Sequence, residues 1–226
     1  MFQRYSARRK CKKNNLPKFV CDYVLSFDKV NYQQKIENTK FIIFDTETTG
    51  LDLKKDSVIC IGALVMDQMK ILIHNSLEIY IKNPVAGDHE SIPIHQILAH
   101  ELEKGMEETE ALEVFLDYIK NNILVAHCAY FDIQMMSRLM QKHFQIPLLN
   151  KYIDTIYLAK RIEKGVFARD VSLPNEYTFD NLCQRYNIEI INRHNAAGDA
   201  LGTARLFQLL LSKGREKGIH TLKQLI

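Results

Sequence analysis

Asp45 and Glu47 stand at the end of a short run, Phe41-Ile42-Ile43-Phe44, that is aromatic and β-branched and so predicts a buried strand. Side chains alternate along a strand, so positions 45 and 47 project side by side from one face. Two carboxylates held together at the end of an apolar strand repel each other, and desolvation raises the cost further. No Lys or Arg stands beside them in sequence. The least costly remedy is a divalent cation. Gly50 then ends the strand in a turn, for which Thr46, Thr48 and Thr49 offer pinning hydroxyls.

The rest of the chain must build a body around that strand. Its 226 residues suffice for one well-cored domain of about 170–200 residues with an appendage. The expected division is a basic leader and docking helix over 1–40, a catalytic body over 41–213, and a short tail over 214–226. No run approaches the roughly 18 apolar residues of a membrane span. The basic N-terminus has no apolar stretch behind it, which argues against a secretory signal. The five cysteines are odd in number, scattered and without a CxxC, so no disulfide framework or thiolate zinc site is expected. That usage suits a reducing, cytoplasmic setting.

Charge is uneven. Residues 1–40 hold ten Lys/Arg against three Asp/Glu, whereas residues 41–226 hold twenty against twenty-four. A basic leader on an acidic body reads either as an arm for a polyanion or as a solubilising terminus. Residues 1–17 are expected as a mobile leader, and 18–35 as an amphipathic helix through Phe19, Tyr23, Val24 and Phe27.

Strands are expected near 41–47, 57–66 and 70–81, the last two joined by a hairpin turn at Asp67-Gln68-Met69. Helices follow near 94–104 and 107–121, then a strand at 123–126 and a helix at 131–143. A short strand at 152–153 and helices at 154–162, 178–186 and 196–213 complete the chain, with Gly214 and Gly218 breaking the last. Three opening strands followed by alternating helices and strands predict an α/β sandwich with a mixed sheet.

Two further acidic positions share the placement of the first pair. Asp132, in Ala126-His127-Cys128-Ala129-Tyr130-Phe131-Asp132, lies at a strand-to-helix junction. Asp199, in His194-Asn195-Ala196-Ala197-Gly198-Asp199-Ala200, falls in the first turn of the last long helix, where a carboxylate is stabilised by the helix N-terminus. Either alone would be read as a helix cap, and His194 alone as a surface residue. Asp45 and Glu47 resist that reading, because adjacent buried carboxylates have no packing rationale.

Together these motifs resemble the DnaQ-like 3′→5′ exonucleases of the branch called DEDDh, for four carboxylates and a histidine. The matching residues are Asp45, Glu47, Asp132, Asp199 and His194, in the family's order; Asp154-Thr155-Ile156-Tyr157-Leu158-Ala159 and Phe179-Asp180-Asn181-Leu182-Cys183 are secondary matches. Three motifs in sequence, each in its expected context, are specific where one DxE pair would not be. Cys128 stands where the family usually has Asn. His95-Gln96-Ile97-Leu98 stands where it commonly has His-Gly-Ile-Thr, so His95 reads either as a substrate contact or as a helix-start histidine.

The resemblance implies an RNase H-like fold, a mixed five-stranded sheet with helices on both faces. It also implies two divalent ions, Mg²⁺ or Mn²⁺, which suit hard oxygen donors. Asp45, Glu47 and Asp199 would hold one, Asp45 and the scissile phosphate the second, with Asp132 contributing directly or through water and His194 as general base. Thr48, Gly50, Leu51, His95 and Phe131 are the candidate substrate contacts; for Leu51 and Phe131 the alternative is the core. His127 supports the site. The implied activity is 3′→5′ hydrolysis of single-stranded or frayed DNA ends to 5′-mononucleotides, in proofreading or repair. An exoribonuclease and an inactive nucleic-acid-binding module are the rivals. The implied partners are single strands or 3′ ends and a DNA polymerase engaged through the N-terminal segment.

Overall fold

The computed structural model describes residues 2–27, 31–83, 97, 99–165, 175–190 and 193–226. Two helices, α1 (Phe2–Lys12) and α2 (Lys18–Leu25), precede strands β1 (Phe41–Thr48), β2 (Val58–Asp67) and β3 (Lys70–Tyr80). Helices α3 (Ala99–Glu103) and α4 (Glu108–Ile119) follow, then β4 (Ile123–Ala126), α5 (Ala129–Phe144), β5 (Tyr152–Asp154) and α6 (Thr155–Lys164). The chain closes with α7 (Phe179–Arg185), α8 (Ala196–Glu216) and α9 (Leu222–Leu225).

The five strands lie in the order β3-β2-β1-β4-β5, with β1 antiparallel to β2 and parallel to β4. This is the mixed sheet expected from the sequence. Gln68 and Met69 both take positive φ, the twist a two-residue hairpin turn requires, and so bring Lys70 opposite Asp67. Alternation along β1 divides its apolar residues between two cores. Ile42 and Phe44 pack with α2, α4 and α5 on one face; Phe41 and Ile43 pack with α6, α7 and α8 on the other.

Several elements depart from the sequence reading, each for a local reason. Residues 2–12, expected as a mobile leader, form a helix that buries Ala7 against the body. Lys10 Nζ donates to the Gln145 carbonyl (2.9 Å) and Arg4 to that of Leu149 (3.2 Å). Cys11 and Cys21, expected unpaired, are bridged across the α1–α2 turn with Cα atoms 5.5 Å apart. Spacing in sequence could not reveal that pairing, because the turn creates the proximity. Helix α2 stops at Leu25 instead of running to residue 35. The Ser26 hydroxyl donates to the Tyr23 carbonyl (2.7 Å), and the Ser26 N–H donates to Asp22 and Tyr23.

The last helix continues through Gly214 to Glu216, since the buried Gly214 packs closely on Ile162 and Ile219. Gly218, at φ +84°, is the actual stop: Ile219 N–H reaches the Gly214 carbonyl (2.9 Å) and Gly218 N–H that of Arg215 (3.0 Å). Beyond it, Ile36 N–H bonds the His220 carbonyl (3.0 Å) and Leu222 N–H that of Gln34 (3.0 Å), so the C-terminal segment is laced to the stretch preceding β1.

Tyr23 fastens α2 to the body. Its buried hydroxyl donates to Asn150 Oδ1 (2.6 Å) and accepts from Leu149 N–H (2.8 Å), while Asn150 bonds the Lys120 and Asn122 carbonyls. Replacing Tyr23 by Phe strands the Leu149 N–H and half of the Asn150 amide away from water, at a cost of about 1–3 kcal/mol. Tyr23→Phe is expected to melt lower by roughly 2–4 °C per kcal/mol lost. Thermal unfolding followed by circular dichroism checks this; an unchanged midpoint would remove Tyr23 from the anchor.

Candidate active site

The site forms where β1 outruns its neighbour. Pairing of β1 with β4 ends at Ile43 opposite Val125, whereas pairing with β2 continues to Thr48 opposite Val58. The far half of β1 therefore borders a crevice at the carboxyl ends of the parallel strands, where ligands of open α/β sheets bind. Asp45 and Glu47 extend the Phe41–Ile43 face, which α8 covers. Thr46 extends the opposite face, which α5 covers.

Helix α8 reaches β1 because of Gly62, the residue opposite Asp45. A Cβ at Gly62 would lie 2.1 Å from the Ala196 carbonyl carbon and 2.3 Å from Ala197 N, so only glycine admits the first turn of α8 so close to the sheet. Asn195 caps that turn by accepting from Gly198 N–H (2.9 Å), and its amide donates to Glu78 on β3 (2.9 Å). Asp199 is thereby delivered to the strand pair. Carboxylate oxygens of Asp45, Glu47 and Asp199 all lie within 4.8 Å of one another. One oxygen of Asp199, Oδ1, is buried with no hydrogen-bond partner among the described residues.

Asp132 enters from the other face. In the first turn of α5, it accepts from Thr46 N–H (3.0 Å) and Thr46 Oγ1 (2.7 Å), which ties it to the backbone of β1 between Asp45 and Glu47. It stands outside the three-residue cluster but adds its charge to Asp45.

The electrostatic cost predicted for paired carboxylates is present. Burial, then the charges of Asp132, Asp199 and Glu47, hold the Asp45 carboxyl well above the usual carboxylate range. Burial and Asp199 push Glu47 up to about 7, and burial pushes Asp132 up to about 7 despite its bonds to Thr46. Hard oxygen donors clustered at this density, with a buried oxygen left open, fit a divalent cation.

The remaining candidates sit as follows. Thr48 Oγ1 donates to the Gly50 carbonyl (2.7 Å) and Thr49 Oγ1 to Asp56 (2.9 Å), so these hydroxyls pin the turn after β1. Leu51 is 84 % exposed beside it, which removes the core reading. Phe131 is half-buried against the α5 side of the core. His95 lies outside the described residues. His194 is exposed, at φ +61°, with its backbone N–H donating to Asp199 Oδ2 (3.0 Å). His127 Nδ1 shares a proton with Thr155 Oγ1 (2.8 Å), and burial holds its pKa down to about 4, so it stays neutral as a supporting residue. Cys128 takes φ +59° at the start of α5, a left-handed conformation that Asn tolerates better than Cys.

Two contributors were missed from sequence. Gly62 carried no signal beyond being a glycine inside an apolar strand, which hints at a close approach. Arg193 reaches the cluster from outside the strand: its Nη1 donates to Asp199 Oδ2 at 2.7 Å. Its adjacency to His194 was the one available clue.

Residues 42–207 match the family model RNase_T, described as exonuclease. The chain is 30 % identical over 202 residues to the PolC-type DNA polymerase III of Thermotoga petrophila, covering 87 % of this chain and 14 % of that protein. It is 28 % identical over 198 residues to DNA polymerase III subunit epsilon of Treponema pallidum, covering 84 % and 88 %. Among solved structures, exonuclease X in complex with 5′ overhanging duplex DNA superposes with a TM-score of 0.60 at 21 % identity, covering 82 % of this chain and 96 % of that one. E. coli exonuclease I in complex with a dT13 oligonucleotide gives 0.63 at 18 %, covering 80 % and 43 %. At those identities the structural likeness concerns the fold.

The raised carboxyl pKa values make a stability prediction. Without a cation, folded Glu47 keeps its proton up to about 7, whereas the unfolded side chain releases it near 4.5. The folded state then binds more protons across that window, so stability falls as pH rises through it. His127 acts in the opposite sense below its ordinary 6.5, so the carboxyl effect is read as a difference between proteins. In EDTA, Glu47→Gln is expected to gain on wild type as pH rises from 5 to 8, by on the order of 2 kcal/mol after solvent screening. Parallel melting curves at every pH would contradict the electrostatic account.

Proposed function

The chain belongs to the RNase_T exonuclease family, and from that premise we propose that it is a metal-dependent 3′→5′ exonuclease releasing 5′-mononucleotides from single-stranded or frayed DNA ends. The observation that carries this reading is the meeting of Asp45, Glu47 and Asp199 within 4.8 Å, with Asp132 hydrogen-bonded alongside. A catalytically inactive binding module has no use for carboxyls kept together at that electrostatic expense.

Asp45, Glu47 and Asp199 would hold one divalent ion, and Asp45 with Asp132 a second. When bound, such ions stabilise charge on the attacking and leaving oxygens of an in-line displacement at phosphorus. Thr46 fixes the Asp132 carboxylate, and Asn195 and Gly62 fix Asp199, so the carboxylates are held by backbone and helix caps. His194, exposed at the rim, takes the proton of the attacking water. Leu51, exposed beside the pinned Thr48–Gly50 turn, offers an apolar surface to the terminal base, and the half-buried Phe131 on α5 is the second candidate contact.

The relatives bear on the setting. The chain spans about 14 % of the PolC-type polymerase it matches and 88 % of the epsilon subunit, proteins named for DNA polymerase III. Proofreading beside a polymerase is therefore the proposed context. Matched 5′-labelled DNA and RNA oligonucleotides incubated with Mg²⁺ or Mn²⁺ test the activity: DNA is expected to shorten from its 3′ end one nucleotide at a time. Faster trimming of RNA would reassign the substrate, and binding without any shortening would overturn the enzyme. Asp199→Asn should lower the rate at least about a hundredfold while its circular dichroism stays native.

Helix α1 supplies a second contact for the strand. Tyr5, Arg8, Arg9 and Lys12 are exposed, their spacing puts them along one side of the helix, and the exposed Lys13 follows in the turn. Exchanging Arg9 and Lys12 for Glu is expected to cut the slope of log affinity against log salt by about 1.4 for a single strand, two contacts at about 0.7 each. An unchanged slope returns α1 to a purely structural role.

A further inference from the structure

We infer that Arg193 is the built-in counter-charge of the acidic cluster, a positioning residue that a divalent cation must displace from Asp199. The inference rests on reading the cluster as a metal site.

Three contacts define the arginine. Nη1 donates to Asp199 Oδ2 at 2.7 Å, Nε donates to Asp180 Oδ1 at 3.0 Å, and the guanidinium lies over the Phe179 ring, 5.0 Å from its centroid. The ring is itself confined. Its edge fills the space left by Gly202, where a Cβ would come within 2.7 Å, and it meets His127 edge-on at 5.4 Å. A planar cation is thus held on a fixed aromatic face between two carboxylates.

Those two carboxylates differ. Asp180 is exposed, in the first turn of α7, and bonds Arg193 from the solvent side. Asp199 is buried, in the cluster with Asp45 and Glu47. Its Oδ2 already accepts from both Arg193 and the His194 N–H, while Oδ1 accepts from none of the described residues. The charge of Arg193 also favours ionisation of Asp45 and Glu47, against the other influences on them.

Three mutually repelling carboxyls hold their places without a cation because one guanidinium offsets part of their charge. A divalent ion does the same work more strongly, and its charge repels the arginine from the carboxylate they share. Asp180 and the Phe179 face brace the guanidinium against Asp199, which adds to what an arriving ion must overcome. The residue therefore steadies the empty site and opposes its filling, which raises the cation concentration at which the site loads. A residue with a merely structural role would do the first and not the second.

Titration of Mn²⁺ into wild type, Arg193→Gln and Arg193→Lys, by calorimetry at pH 8, separates these effects. Arg193→Gln is expected to bind Mn²⁺ about tenfold more tightly, the order of one charge-assisted hydrogen bond. It should also melt lower than wild type in EDTA, with the gap closing at saturating Mn²⁺. Arg193→Lys keeps the charge without the fork and should fall between. Asp180→Asn loosens the arginine without touching Asp199 and guards against misfolding of the first variant; it should tighten Mn²⁺ binding to a smaller extent. Equal or weaker Mn²⁺ affinity in Arg193→Gln and Asp180→Asn overturns the inference and leaves the nuclease reading intact. A wild-type protein that takes up no Mn²⁺ overturns both.

Discussion

Mutual repulsion among buried carboxylates is the constraint around which this molecule is arranged. Two acids at the end of an apolar strand are unfavourable on their own, and the fold adds Asp199 within 4.8 Å and Asp132 beside them. No gain in packing repays that concentration of like charge. Everything nearby acts to tolerate it: Thr46 donates twice to Asp132, the first turns of α5 and α8 point positive ends at it, and Arg193 leans in from the loop before α8. Such an arrangement is reasonable only where a stronger cation completes it.

The sheet makes convergence possible by a simple alternation. Because neighbouring side chains on β1 face opposite ways, one strand can address helices on both sides of the sheet. Asp45 and Glu47 meet α8, while Thr46 between them meets α5. The approach of α8 depends on a missing side chain at Gly62, and that of α5 on a backbone turn through a left-handed Cys128. His194, at φ +61° just before the Asn195 cap of α8, also takes that conformation. Backbone held in sparsely populated regions is costly, and here it occurs at the two junctions that deliver Asp132 and Asp199.

What could be read from the sequence was whatever depends on periodicity and neighbours. The alternation in 41–47 exposed the acidic pair, and strand-to-helix junctions located Asp132 and Asp199, because a short apolar run followed by a helical pattern is a local signal. Arg193 was invisible for the opposite reason. It lies 146 residues from Glu47 in sequence, so the absence of a basic residue near the pair said nothing about its surroundings in space. The same limit hid the Cys11–Cys21 pairing and the lacing of residues 34–36 to 220–222. Residues 2–12 were misjudged because charge suggested mobility, whereas the buried Ala7 and the carbonyls of Gln145 and Leu149 give the helix a docking face. Gly214 was misjudged because propensity was weighed without the Ile162 and Ile219 side chains that close over it.

A common logic links the two ends of α8. At its start, a glycine on a neighbouring strand lets the helix come close enough to place a carboxylate. Near its end, the buried Gly214 packs on Ile162 and Ile219, and Gly218 then reverses the chain toward the segment leading into β1. The helix that carries Asp199 is thus held at both ends, at its start by an approach to Gly62 that any side chain would forbid and at its end by packing on Ile162 and Ile219. Rigid placement matters here because like-charged groups relax by moving apart whenever the scaffold permits. With both ends fixed, the carboxylates cannot separate, and their repulsion is retained as affinity for a cation.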